Sequence, residues 1–403
     1  MNALAPLAAN LLTEDRGKLL FGFLDRIGQE LDPTVTQHGD VQGKYEAVGG
    51  WVADAADPVF KTARIYPQGS FAIGTAIRPL HGQEFDVDLV CHFPRARFPL
   101  APAMLKRTLG ARLRENAIYA ARLQEMLRCW RICYADKFHL DFTPSIRNPG
   151  CPHGGELVPD RKLVSWKASN PLGFKALFEK RSLLQPRFRT RLAKAADGML
   201  TKRAEVAPFP ALRTSKPILP RTVQLLKRHR DIHFESRDVS AAPISVILTT
   251  LVARSYEHCV THRVFDTEFD LLVAIVEGMP AFIEQRDEMG RRIWWIENET
   301  TSEENFAEKW NTDTTRATAF FEWHGKLRAD LAQLARIAGL DILQKSLSAS
   351  FGEAPVTKVM KTATETVGTA RSNGSLHVAP LIGLTSAAVG ASPVRANTFF
   401  GSD

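Results

Sequence analysis

The ten residues EFDVDLVCHF, Glu84 to Phe93, hold two carboxylates one residue apart in an otherwise apolar run. Pro94 ends the run, and its length and β-branched or aromatic content suit a strand rather than a helix. Alternate side chains of a strand share a face. Phe85, Val87, Leu89 and Cys91 therefore point one way, while Asp86 and Asp88 point the other, with Cα atoms roughly 6–7 Å apart. Any fold that buries this strand must place two like charges on its opposite face.

A later segment repeats the pattern. Arg128 to Tyr134 and Lys137 to Thr143 flank an Ala135-Asp136 turn and read as a hairpin, with Pro144 closing its second strand. Phe138, Leu140 and Phe142 form its apolar face; His139, Asp141 and Thr143 form its polar one. If these strands share a sheet, three carboxylates converge, which is costly at protein-like dielectric unless a cation lies among them. Oxygen-only ligation selects Mg²⁺, with Mn²⁺ as the alternative. Two such ions activate an attacking hydroxyl and steady a leaving pyrophosphate. An isolated Asp-x-Asp reads more readily as a solvent-facing pair.

The upstream text weighs against that plainer reading. Gly69 lets the backbone approach a ligand closely, Ser70 offers a hydroxyl, and a short helix over Phe71 to Ile77 offers free N–H groups suited to phosphate. Gly-Ser pairs are common, but a phosphate cradle followed sixteen residues later by a strand Asp-x-Asp, then by a further strand Asp, is a specific set. The chemistry it describes is metal-dependent nucleotidyl transfer.

In this order of Gly-Ser, Asp-x-Asp and third Asp, the chain resembles the polymerase-β-type nucleotidyltransferases. Its wider spelling is similar to the bacterial cGAS/DncV-like branch, the second-messenger oligonucleotide synthases of anti-phage systems. The matching text is QGSFAIGTAIRP (68–79), EFDVDLVCHF (84–93), LDFTPSI (140–146), SWKASNPLGFKALFEKR (165–181), RTVQLLKRHRD (221–231), PISVILTTLVARSY (243–256) and WIENETTSEENFAEKW (295–310). The resemblance implies an α+β fold of two lobes, a catalytic core with a mixed sheet and a helical C-terminal lobe, with the active site between them. It implies two metal ions at Asp86 and Asp88, with Asp141 completing one site and helping to activate the acceptor hydroxyl. Gln68, Gly69 and Ser70 would contact the donor triphosphate, and Lys227 and Ser245 stand where the family steadies that group from the helical lobe. ATP and other NTPs would be joined into a cyclic oligonucleotide that reaches a downstream effector. An ancillary regulator, or an enzyme conjugating the C-terminal tail, would be a further partner.

Around these motifs, apolar spacing predicts helices over Leu12 to Leu31 (stopped by Pro33), Val41 to Ala55, Ala103 to Leu127, Thr222 to His233, Pro243 to Tyr256, Phe269 to Met279 and Thr315 to Ile337. Ile146 to Asp160 reads as loop, and Pro208, Pro210, Pro217 and Pro220 as a linker. The domains follow as a catalytic core over 1–215 with N-terminal helices, a helical nucleotide-binding lobe over 216–360, and a flexible tail over 361–403. Phe174 and Phe178 read as helix core, Trp166 as structural or base-stacking, His139 as a sheet-face group, and Asn305 and Trp310 as ties between helices. Asn298 opens a formal sequon that a cytosolic chain would not use.

Charge adds one expectation. Of 52 Lys and Arg against 44 Asp and Glu, twelve of the cations fall between Pro186 and Arg230, with only Asp197 and Glu205 to balance them. That imbalance suggests a surface facing an anion, and keeps open a rival template-free enzyme that extends RNA. A catalytically silent nucleotide sensor is a third reading, countered by the intact aspartates. Five cysteines without a Cys-x-x-Cys pair fit a reduced, cytoplasmic protein with no zinc site. No basic n-region precedes an apolar core at the N-terminus, and no run is long enough to span a membrane.

Overall fold

The computed structural model describes residues 14–82, 84–96, 100–134, 138–160, 162–189, 216–302 and 304–375, with short segments at 377–379, 383–385 and 392–393. A mixed sheet, as the resemblance implied, forms the first half of the fold. Strands β1 (Arg64–Pro67), β2 (Phe85–Phe93), β3 (Leu123–Glu125), β4 (Trp130–Tyr134) and β5 (Phe138–Arg147) lie in the order β1-β2-β5-β4-β3. Strand β6 (Glu156–Pro159) extends from β5 and pairs with β7 (Trp166–Ser169). Only β2 and β5 run parallel within this sheet, so the two aspartate-bearing strands are neighbours.

Phe85, Val87, Leu89, Cys91 and Phe93 are buried on the core face of β2, as the alternation requires. Helices α2 (Val35–Ala53) and α4 (Pro102–Arg114) supply the covering layer through Val41, Tyr45, Val48, Val52, Leu105, Leu109 and Leu113. A capping box between Thr34 and Gln37 starts α2 immediately after Pro33. Gly110 of α4 sits against Trp130 so closely that an added Cβ would lie 2.3 Å from the indole ring.

Several local expectations change. The helix expected to reach Leu127 stops at Arg114, followed by the short α5 (Ala117–Ala120) and then β3. Pro144 lies inside β5 rather than after it, because β4 has already ended its pairing at Phe142 and β6 begins only at Ile146. On its other side Pro144 keeps register with Cys91 of β2, so the strand continues through it. The supposed loop before Asp160 contains β6. The helix expected over Phe71 to Ile77 is instead α3 (Gly69–Ala72), which the Gly-Ser pair opens and whose single turn is too short to offer phosphate the dipole of a longer helix.

The second half is helical: α6 (Pro171–Ser182), α7 (Ile218–Phe234), α8 (Ser245–His262), α9 (Glu268–Gly278), α10 (Thr315–Arg336), α11 (Leu340–Phe351) and α12 (Glu353–Ser372). Helix α1 (Glu14–Leu31) joins this lobe through Leu20, Phe23, Leu24 and Ile27, although it precedes the catalytic sheet in the chain. Phe178 and Phe188 also enter the helical core. Pro217 caps α7 and Pro220 sits in its first turn, where a missing N–H costs nothing, so these two prolines start a helix instead of marking a linker. Helix α12 carries regular structure past residue 361 to Ser372, and strands follow at His377–Ala379 and Gly383–Thr385, which shortens the segment read as flexible tail.

Basic residues on α7 turn inward. Arg221, Lys227 and Arg228 are buried, with Arg221 held by Asp25 (2.9 Å) and Asp32 (3.3 Å). Gln224 donates to the Ala76 carbonyl (2.7 Å), Lys227 to that of Thr75 (2.9 Å), and Arg228 to that of Arg78. Arg78 in turn donates its backbone N–H to Leu31 (2.7 Å). Arg187 and Arg189 are likewise engaged, with the 261–263 carbonyls and with Asp266. For the described residues the expected anion-facing stretch divides: Lys227 and Arg228 cross to the sheet half, Arg221 is held at α1, and the exposed Arg187 and Arg189 pair within the helical lobe; Arg191, Lys194, Lys202, Arg203 and Arg213, with Pro208 and Pro210, lie outside the described residues.

Replacing Gly110 with Ala should lower unfolding free energy by about 1–3 kcal/mol, because the Trp130 ring cannot retreat without leaving its packed site. Chemical denaturation of Gly110→Ala against the parent checks this, and equal midpoints would show that the indole moves freely.

Candidate active site

Parallel register sets Asp88 directly beside Asp141 and Asp86 beside His139. The antiparallel β4–β5 ladder places Arg131 opposite Asp141. Arg131 Nε meets Asp141 Oδ1 at 2.7 Å, and its Nη2 meets Asp141 Oδ2 at 2.8 Å and Asp86 Oδ1 at 3.1 Å. The aspartates thus share one face, as their alternation predicts, and the cation among them is an arginine. Sequence reasoning treated Arg131 only as part of a hairpin.

The three carboxylates suit a hard divalent ion by chemistry. Nearby Cys129 does not compete as a ligand, because burial, then Asp141 and Asp88, push its thiol up to about 12. Among the described residues, however, no three acidic, His or Cys side chains are gathered closely enough to hold an ion. The donor set fits Mg²⁺ or Mn²⁺, while its present arrangement is organised around the guanidinium.

Asp88 carries the strain of this crowding. Burial first, then Asp141 and Asp86, raise its pKa to about 6, against the opposing pull of Arg131 and Arg128. Gly69 lies over it with φ +62°, and a Cβ there would come 2.9 Å from Asp88 Oδ2. Both conformation and space therefore demand glycine at this position. The Gln68 N–H donates to the Asp88 carbonyl at 2.8 Å, tying the Gly-Ser turn to the aspartate strand.

A cleft of about 330 Å³ opens beside this turn. Its walls include Gln68, Gly69, Ser70 and Asp88 from the sheet half, and Lys227 and Ser245 from α7 and α8. Residues far apart in the chain meet here as the motif order implied, although Asp86 and Asp141 flank the cleft rather than line it. Lys227 is buried, and desolvation, then Arg230, lower its pKa to about 7, with Asp88 pulling the other way. The Ser245 hydroxyl accepts from Arg230 at 3.1 Å.

The far wall holds residues that the sequence placed elsewhere. Phe174 lines the cleft edge-on to Phe306, whereas its neighbour Phe178 is core. Asn298 is buried in a network with Glu304 (2.8 Å) and Thr300, which no sugar could reach. Asn170 caps α6 and bridges to the Thr300 carbonyl (2.6 Å). Asn305 accepts from the backbones of Ile296 and Ala307, tying a loop to a strand rather than helix to helix. His139 pairs with Glu84, and Trp166 Nε1 donates to the Leu100 carbonyl. Their signal was pairing by a segment of no regular period, which spacing cannot read.

Residues 23–181 match the model of the Second Messenger Oligonucleotide or Dinucleotide Synthetase domain. A relative named "c-di-GMP synthase" from Roseivirga ehrenbergii is 28% identical over 399 residues, 97% of this chain and 100% of that one. Over residues 23–181 the chain carries that synthetase domain, and along its length it is similar to the cGAS/DncV-like nucleotidyltransferases. A second relative, the cyclic dinucleotide synthase CdnG of Bradyrhizobium diazoefficiens, is 24% identical over 82% of this chain and 80% of its own. The structure of Bradyrhizobium diazoefficiens CdnG in complex with GTP shares the fold, with a TM-score of 0.62 at 21% identity over 86% of this chain and 99% of the other. Like those structures, this nucleotidyltransferase joins a mixed sheet to a helical lobe. Among the described residues, no helix is long and apolar enough to cross a membrane.

Because Asp88 holds its proton more tightly when folded than unfolded, its ionisation opposes folding. The penalty is absent below about pH 4 and complete above about pH 6. Without divalent ion, Asp88→Asn should exceed the parent's stability by about 1–3 kcal/mol at pH 8 and match it near pH 4. Denaturant titrations at both pH values measure the gap, and a gap that does not change with pH would show that Asp88 ionises freely.

Proposed function

We propose that this enzyme joins nucleoside triphosphates into a cyclic oligonucleotide, releasing pyrophosphate at each bond, with GTP as a substrate. The carrying observation is the cleft that unites the Gly69-Ser70 turn and Asp88 with Lys227 and Ser245, beside Asp86 and Asp141. Its relatives' printed activities support guanine as a base and a cyclic product. The acceptor hydroxyl attacks the donor α-phosphorus, the bond to pyrophosphate breaks, and the hydroxyl proton is taken up by the carboxylate face.

Asp86, Asp88 and Asp141 would hold two Mg²⁺ ions, or Mn²⁺, which when bound neutralise triphosphate charge and lower the pKa of the acceptor hydroxyl. Gly69 admits the phosphates close to the backbone, and the Ser70 hydroxyl donates to them. Lys227 meets the terminal phosphates from the helical side, converting from a neutral amine towards an ammonium as anionic charge arrives. The lobes then hold donor and acceptor in line, which accounts for most of the rate. The product would act as a second messenger for a downstream effector in anti-phage signalling, as the family resemblance suggests. RNA extension loses its motivation where α7's cations turn inward.

Labelled GTP, ATP, CTP and UTP supplied singly and in pairs, with phosphatase treatment and mass spectrometry, identify the product. A phosphatase-resistant cyclic compound containing guanine is expected, and its disappearance in Asp86→Ala and Asp141→Ala with the fold retained. Elongated RNA, or turnover by either variant, would overturn the reading.

Lys227 gives a separate expectation. At pH 8 its amine is mostly neutral in the empty cleft. Triphosphate binding should therefore draw in a large fraction of one proton in the parent and none in Lys227→Met. Calorimetry in two buffers of different ionisation enthalpy reads this directly; equal uptake by both proteins would remove Lys227 from the site.

A further inference from the structure

Three facts about Arg131 fall outside the role of a simple surface pair. Its guanidinium holds both Asp141 oxygens in a forked pair and reaches on to Asp86 (2.7, 2.8 and 3.1 Å). Arg131 is 21% exposed and Asp141 13%, so solvent screens their pair weakly, whereas the contact to the 64% exposed Asp86 is screened. The β4–β5 register fixes its Cα directly opposite Asp141, so only side-chain rotation can take it away.

We propose that Arg131 is the resident counter-ion of the aspartate face, and that divalent ions enter by exchange with it. This rests on the metal-dependent reading above. An ion shared by Asp88 and Asp141 would share a carboxylate with the guanidinium, and two cations so placed repel each other. Arg131 must then release Asp141, Asp86 or both. The other charged groups around the site are cations or already held: Arg128 lies just before β4 and Lys227 reaches Asp88 from α7, while Glu84 is paired with His139 and Glu304 accepts from Asn298. A triphosphate in the cleft is the anion that can accept the displaced guanidinium. Ion and nucleotide therefore bind together, and the empty enzyme holds divalent ions poorly.

Arg131 neutralises Asp141 and Asp86, leaving Asp88 to bear the crowding alone. Removing the guanidinium frees ligands that it now occupies, so the empty site should gain ion affinity even as it loses stability. A merely structural arginine predicts the opposite or no change.

Mn²⁺ binding to the full chain, followed by the electron paramagnetic resonance of free Mn²⁺, tests this with and without α,β-methylene-GTP. The parent should bind Mn²⁺ weakly alone and far more tightly with the analogue. Arg131→Ala should bind Mn²⁺ alone about tenfold tighter than the parent, the effect of deleting one competing, partly buried charge pair. Arg131→Lys, which keeps the charge, should stay near the parent, and Arg131→Gln replaces Arg131→Ala if the smaller residue unfolds the chain. Unchanged or weaker Mn²⁺ binding on loss of the charge overturns the exchange. A crystal of the parent with Mn²⁺ and the analogue decides independently: Arg131 swung away supports it, and Mn²⁺ beside an unmoved Arg131 overturns it alone. Absence of Mn²⁺ from the aspartates under every condition would overturn the metal-dependent reading as well.

Discussion

Parallel pairing of β2 with β5 is the constraint around which the catalytic half is arranged. It brings Asp88 and Asp141 to the same level of adjacent strands, where their charges repel through a partly dry environment. Two consequences follow. Asp88 retains its proton to higher pH than an ordinary carboxyl, and a cation has to stand among the three aspartates. In this structure Arg131 meets that need. The Gly69 turn is fitted so closely above Asp88 that any larger residue would collide with the carboxylate, so phosphate cradle and aspartate strand form one unit.

The helical lobe is attached to that unit by side chains reading backbone carbonyls. Gln224, Lys227 and Arg228 on α7 meet the carbonyls of Ala76, Thr75 and Arg78, just past the Gly-Ser turn. Burying these cations costs free energy, and the lowered proton affinity of Lys227 and Arg228 records that cost. The result is a fixed distance between the phosphate turn and the wall formed by Lys227 and Ser245. A nucleotide entering the cleft therefore meets a preset frame rather than two independent halves.

Much of the site was legible in one dimension, because strand alternation is strictly local. Asp86 and Asp88 had to share a face once Phe85 to Phe93 was read as a strand. The hairpin shows where local reading fails. A two-residue Ala135-Asp136 turn pairs Tyr134 with Lys137, and so sets Arg131 opposite Leu140, on the wrong face. The observed ladder pairs Tyr134 with Phe138 and Arg131 with Asp141, one residue further on. A slip of one position inverts every side chain, and that slip concealed the arginine among the aspartates. The basic run from Pro186 to Arg230 failed for a related reason: charge can be counted along a chain, but burial depends on what packs against it.

The sequence alone determined which strand carries the carboxylates, where glycine is needed, and that a half of mixed helices and strands precedes a mainly helical one, since each follows from periodicity and residue chemistry over a few positions. Tertiary structure decided that β2 and β5 run parallel, that α1 crosses to the helical lobe, and that α7's cations face inward. It also decided which positive group sits among the aspartates. Those outcomes depend on contacts between residues tens to hundreds of positions apart, and no local rule of spacing encodes them.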